Sequence, residues 1–109
     1  MLKFYDKPYY AVVFHSIRTS GDNGYGDMAN KAVQAAEKQE GFLGAESVRG
    51  EKGEGITVSY WASMESIEAW KNNALHMAGK QKGVEEWYEN YAIRICKVEY
   101  DNFFEKSKE

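Results

Sequence analysis

The stretch Tyr9–Arg18, YYAVVFHSIR, carries large apolar side chains on both of its alternating faces. It is dense in β-branched and aromatic residues and predicts a strand. Period-two alternation places Tyr9, Ala11, Val13, His15 and Ile17 on one face. Tyr10, Val12, Phe14, Ser16 and Arg18 take the other. A strand apolar on both sides belongs in the middle of a sheet that is covered twice.

The rest of the chain supplies the first cover. After the loop TSGDNG, whose Gly and Asn residues tolerate positive φ, Tyr25–Glu40 predicts a helix. Tyr25, Met28, Ala29, Ala32, Val33 and Ala36 form one stripe at 3.6-residue spacing, and Gly41 ends it. Phe42–Arg49 predicts a second strand, Gly50–Gly55 (GEKGEG) a hairpin loop, and Ile56–Ala62 (ITVSYWA) a third strand. Ser63 is placed as the N-cap of a second helix, with Glu65 at the positive end of its dipole. That helix has a stripe of Ile67, Trp70 and Ala74, and Asn72-Asn73 is a weak helix-forming pair where a break is expected. Val84–Glu89 predicts a short turn, Tyr91–Tyr100 the last strand, and residues 101–109 a tail.

The order β-α-β-β-α-β is the ferredoxin-like α+β arrangement, with two helices on one face of a four-stranded antiparallel sheet. Two helices cover one face only. The simplest second cover is the same sheet face of a second copy, giving a homodimer in which two sheets close a barrel-like core.

At 109 residues the chain is expected to be a single domain, with a core at about residues 9–100. Net charge is −3 and the charges are interspersed, without the Lys/Arg stripe that tracks phosphates, so nucleic acid is not an expected partner. The lone Cys96 excludes an internal disulfide and offers no zinc ligand set, and its place between Ile95 and Lys97 reads as core. MLKFYDKPYY has charges where a signal peptide is apolar, and no apolar run approaches the roughly 20 residues of a membrane span. These features lead to the expectation of a cytoplasmic protein with no membrane partner. Aromatic residues make up 15% of the chain, eight of them tyrosines, which points to an aromatic-lined pocket or a subunit interface. No P-loop, dinucleotide fingerprint, nucleophile elbow or metal-spaced cluster occurs.

Three segments in order, QEGFLGAESVRG, GITVSYWASMESIEAWKNNALH and EEWYENYAIRICKVEY, resemble the antibiotic biosynthesis monooxygenase (ABM) domain family, as does GYGDMA at Gly24–Ala29. The resemblance spans Tyr9 to Tyr100 and is to the short stand-alone bacterial members. It implies a dimeric α+β barrel and, among characterised relatives, oxidation of phenols to quinones with O2 and no prosthetic group. Other relatives bind and degrade haem, and many stand-alone members have no established activity. Three functions follow: a cofactor-independent monooxygenase of a small aromatic or quinone-like molecule, a haem-binding or haem-degrading monooxygenase, or a non-catalytic small-molecule-binding module. In haem-degrading relatives the iron ligand is a histidine ten residues beyond the helix tryptophan. That count from Trp70 reaches Lys80, which disfavours haem. Asn73 stands where close relatives carry a second histidine.

Trp70 is the first candidate for the pocket, either as a wall that stacks on a flat substrate or as a core ring on the helix stripe. His76 is a candidate base because an imidazole titrates near ~6.5. On one straight helix it lies about 120° from Trp70, so a bend at Asn72-Asn73 is needed to bring it round. His15 is the second candidate base, if the odd face of the first strand lines the cavity. Tyr60 and Trp61 point to opposite faces, so one of them meets the cavity. Trp87, Tyr88 and Tyr91 frame either the cavity mouth or a dimer contact. Arg94, polar among apolar neighbours, either orients a phenolate or carboxylate or pairs with a glutamate. No metal site is expected.

Overall fold

The computed structural model describes residues 5–80 and 86–107, with residues 74–80 described by their backbone alone. Its elements are β1 (Tyr9–Arg18), α1 (Tyr25–Lys38), β2 (Phe42–Arg49), β3 (Glu54–Trp61), α2 (Met64–Lys80) and β4 (Tyr88–Val98). The four strands form one antiparallel sheet in the order β2-β3-β1-β4, so the doubly apolar β1 is central. This is the ferredoxin-like arrangement expected from the element order.

Register decides which side chains share a face. Tyr10 pairs with Trp61, Val12 with Ser59 and Phe14 with Thr57 on one side of β1, and with Lys97, Ile95 and Ile93 on the other. Val12 and Trp61 join Ala36 of α1 and Ile67 of α2 in the core, with Tyr10, Phe42 and Trp70 packed around them. The even residues of β1 therefore face the helices. Tyr9, Ala11, Val13, His15 and Ile17 face away, together with Tyr60, Val58, Ile56, Arg94 and Cys96.

Local chemistry explains the helix starts. Ser63 caps α2: its Oγ accepts the main-chain N–H of Ser66 at 3.1 Å. Before α1, Gly21, Asn23 and Gly24 all take positive φ, and the Asp22 carboxylate accepts the main-chain N–H groups of Gly24 and Gly26, each at 3.2 Å. Gly41 (φ 90°) leads into β2 where α2 comes close, and a Cβ there would lie 2.5 Å from Ser66 Oγ.

Several boundaries differ from the sequence reading. β3 begins at Glu54, because Gly50 N–H reaches Glu54 O at 2.7 Å and Gly55 already pairs with Arg49 and Ser16. β4 begins at Tyr88, which pairs with Arg18 across a register shift, and ends at Val98. The turn expected at Val84–Glu89 falls partly outside the described residues. Of the α1 stripe, Ala36 is buried and Val33 is turned to water. No break occurs at Asn72-Asn73: α2 runs through to Lys80. The propensity deficit of Asn is at most about 0.7 kcal/mol per residue. A helix capped by Ser63 and anchored by the buried Ile67 absorbs it.

The segment Asp101–Phe104, expected as tail, lies against the N-terminal segment on the face away from the helices. Asp101 accepts hydrogen bonds from Lys7 Nζ and from Tyr9 Oη, the latter at 2.6 Å. Tyr5, Tyr9 and Tyr60 pack ring to ring beside it, with centroids 5.3–6.1 Å apart. Among the described residues no helix is long and apolar enough to cross a membrane.

Candidate functional site

On the helix side, the sheet is covered unevenly. α1 packs on β2 and α2 on β3, and beneath them Trp61 is fully buried. Its Nε1 donates to Ser59 Oγ at 2.8 Å, and its ring meets Trp70 of α2 at 5.5 Å and Phe42 edge-on at 5.3 Å. Further along the same face, over β1 and β4, Tyr91, Ile93 and Ile95 remain 46%, 49% and 38% exposed. Large apolar residues on the helix side yet open to solvent form a patch, here called the bay, that the two helices leave uncovered.

Rings form the bay's floor and one wall. Phe14 of β1 meets Tyr88 edge-on at 5.5 Å and Tyr91 at 5.4 Å, and Tyr88 meets Tyr25, the first residue of α1, edge-on at 5.7 Å. Burial first, and then the neighbouring Tyr25 hydroxyl, push the Tyr88 phenol well above the usual tyrosine value, against the opposing pull of Arg49 and Arg18. Trp87 closes the end of the bay: it is buried, and its Nε1 donates to Asn23 O at 2.9 Å. The turn leading into β4 is thus tied to the loop before α1, and Thr19 N–H to Trp87 O at 2.9 Å adds a second tie.

The sequence candidates divide between the two faces. Trp61, Trp70, Trp87 and Tyr91 lie on the helix side, where Tyr91 opens on the bay and Trp61 is sealed in the core. His15, Tyr60 and Arg94 lie on the opposite face. His15 Nε2 is buried there without a hydrogen-bond partner. Tyr60 donates to Glu46 at 2.6 Å, and burial together with this bond pushes its phenol up to about 12. The His76 side chain lies outside the described residues. Cys96, read as core, is exposed at the edge strand β4.

A cleft of about 370 Å3 also lies on the face away from the helices, lined by Tyr5, Tyr9, Glu46, Tyr60, Asp101 and Phe104 among others. Neither Trp70 nor a histidine borders it.

Sequence reasoning passed over Phe14, Ser16, Arg18, Tyr25 and Arg49. The signal for the first three was their alternation on the even face of β1. Which face the helices cover, however, is a tertiary fact. Among the described residues no group of three or more His, Cys, Asp or Glu side chains could hold a metal ion.

A family model described as Monooxygenase af470-like matches residues 22–107. The chain belongs to that family. It is 48% identical over 102 residues to the uncharacterized protein YqjZ of Bacillus subtilis (strain 168), a match covering 94% of this chain and 90% of that protein. Among solved structures, its fold is similar to that of SnoaB, a cofactor-independent oxygenase from Streptomyces nogalater, with a TM-score of 0.70 over 86% of this chain and 96% of that one, at 8% identity. It is similar also to a putative antibiotic biosynthesis monooxygenase from Nitrosomonas europaea (TM-score 0.69, 11% identity, 90% of this chain and 97% of that one). A MhuD variant with two manganese protoporphyrin IX bound per active site gives a TM-score of 0.64 at 20% identity, over 87% of this chain and 99% of that one. At these identities the solved structures establish the ABM-type fold, and the family match establishes the monooxygenase family.

Proposed function

We propose that this family member is a homodimeric monooxygenase that oxidises a small, flat, phenolic or quinone-like molecule with O2 and no bound cofactor. The observation that carries this reading is the bay on the helix side, where Phe14, Tyr25, Tyr88 and Tyr91 converge beside the solvent-open Ile93 and Ile95. An aromatic floor of this kind stacks a planar ring. The cleft on the other face is the weaker candidate. It is walled by the two chain ends and lies on the surface proposed below to meet a second copy.

The chemistry required of the protein is modest. A base removes a proton from the phenol or its activated CH2, and the resulting anion passes one electron to O2. The radical pair joins as a carbon-bound peroxide, which loses water to leave a carbonyl, so that CH2 and O2 give C=O and H2O. Trp70 is the proposed stacking wall towards α2, and His76 is proposed as the base only for a substrate that reaches the flank of α2, since the unbroken helix sets it about 120° from Trp70. His15 serves as a base only for a substrate between the two sheets, since it faces away from the bay. Tyr88, held neutral by burial, is a hydrogen-bond donor rather than a base.

The homodimer reading rests on the face turned away from the helices. Val13, Ile56, Val58 and Val48 lie there, Val48 being 72% exposed, with no helix over them. A second sheet is the cover that fits such a surface.

For haem, the described residues bring no histidine or cysteine to the bay, His15 and Cys96 lying on the other face, and Tyr88, whose phenol burial keeps protonated, is not the phenolate that ligates iron, so no step is routed through it. An oxygen electrode with anthrone-like and hydroquinone substrates tests the reading directly. Uptake above the uncatalysed rate, lost on His76→Ala, is the expected result. A Soret shift on adding hemin would instead favour the haem-binding reading. Neither response would leave a non-catalytic binding module.

A further inference from the structure

Two arginines meet at one end of the bay, and among the described residues neither forms an ion pair. Arg49 closes β2, and its side chain runs back across β3 at Gly55, where a Cβ would lie 2.6 Å from the guanidinium carbon. The absence of a side chain at Gly55 opens that path. Arg49 Nη1 donates to Gly53 O at 2.6 Å, and Nη2 reaches the buried Ser16 Oγ at 3.3 Å and Tyr25 Oη at 3.4 Å. Arg18, from β1, lays its guanidinium over the Tyr25 ring at 3.6 Å, donating Nε to Trp87 O at 2.8 Å and Nη2 to Gly21 O at 3.1 Å. The Arg49 guanidinium lies 5.9 Å from the same ring centre.

Every partner in that account is neutral: main-chain carbonyls, hydroxyls and a ring. The ion pairs among the described residues are Lys7 with Asp101 and Lys71 with Glu68, and neither involves these arginines. Two like charges held near one ring raise each other's energy, and an anion between them would offset this. Each guanidinium keeps N–H groups beyond the bonds it already makes. The tyrosine pair and Phe14 continue directly from this charged end to the aromatic floor.

We propose that Arg18 and Arg49, with the Tyr25 hydroxyl, form an anion-binding end of the bay, and that its ligand is a flat aromatic molecule bearing an ionised oxygen group. The assignment rests on reading the bay as the substrate pocket, but its test measures binding and not oxygen uptake. A protein inert towards O2 can therefore still satisfy it.

The experiment titrates the full chain with 2-naphthoate and with its neutral isostere 2-naphthamide by isothermal calorimetry. Wild type is expected to bind the carboxylate about tenfold tighter or more, since hydrogen bonds to a charged group are the strong ones. Added salt should weaken the carboxylate alone. Arg49→Met is expected to abolish the preference while leaving the amide's affinity unchanged. Arg49→Lys should retain part of it, because a point charge replaces a fork. Gly55→Ala keeps the arginine but displaces its guanidinium, and should lower the preference in a chain that still folds. Lys38→Met, a charge removed from the end of α1, is the control that keeps the preference. Equal binding of the two probes, loss of both together in Arg49→Met, or no binding of either at millimolar concentration would each overturn the proposal.

Discussion

The two faces of this sheet are built from similar residues but have different fates. On the helix side, Trp61 and Ile67 are sealed, at 0% and 1% exposure, and the polar groups among them are paired, as Trp61 Nε1 is with Ser59. On the other side, Val48 and Ile56 stand open, and His15 Nε2 is enclosed without a partner. The apolar content of β1 is shared almost equally between the two. The difference lies in which face the crossovers carry the helices to. Side chains are buried and paired where a layer lies over them, Trp61 under the helices and Tyr9 under the chain-end segment with Asp101. The face without helices is therefore covered only in part, with Val48 and Ile56 left open.

The sharpest way to break this contrast is to empty the sealed face. Trp61→Ala removes a fully buried ring and should cost roughly 3–5 kcal/mol in a urea titration. Val48→Ala on the other face, measured in the monomeric chain, should change stability by no more than about 0.5 kcal/mol. Equal effects would mean that the two faces are not distinct as described. Next in size, Val58→Asp places a carboxylate on the uncovered face. Light scattering on the eluted protein should then show monomer mass where wild type shows dimer, with the circular dichroism unchanged. Wild-type monomer at micromolar concentration would remove the second sheet altogether.

Trp87→Phe keeps the buried ring but leaves Asn23 O without its donor, and is expected to cost about 1–2 kcal/mol. It should also loosen the loop before α1, which amide exchange at Asn23–Tyr25 would report. The smallest effect concerns the chain ends on the uncovered face. The Lys7 ammonium first, and then the Tyr9 hydroxyl, hold the Asp101 carboxyl below its usual 3.8. A depressed carboxylate stabilises the fold above its unfolded value and loses that contribution as the pH falls through the folded one. Asp101→Asn should therefore flatten the melting-temperature profile below about pH 4. Tyr9 has the opposite sign. Its bond to Asp101 pushes its phenol up to about 12, so its contribution is complete below pH 10 and is lost as the pH rises towards 12. Asp101→Asn should remove much of that alkaline dependence as well. Unchanged profiles at both ends would detach this cluster from stability.

Much of the fold could be read from local pattern. β1 and β2 appear at the boundaries that alternation predicts, Ser63 caps α2, and the three positive-φ residues before α1 lie in the glycine-rich loop. The site was less legible. Trp70 and Tyr91 do fall on the helix side, but Arg94, placed as an anion partner, lies on the other face. The arginines that do meet the bay, Arg18 and Arg49, come from the ends of two strands separated by β3. Their approach depends on the missing side chain at Gly55 and on where Tyr25 begins α1.

Sequence alone determined that β1 is central, because alternation assigns large apolar residues to both of its faces. It also determined the element order, and with it the number of helices available for covering. Only the tertiary structure decided which face those helices take, since period-two alternation is symmetric between the faces and only the handedness of the crossovers breaks that symmetry. That single choice put Trp61, Tyr91 and the two arginines on the side of the bay and left His15, Tyr60 and Arg94 on the side without helices.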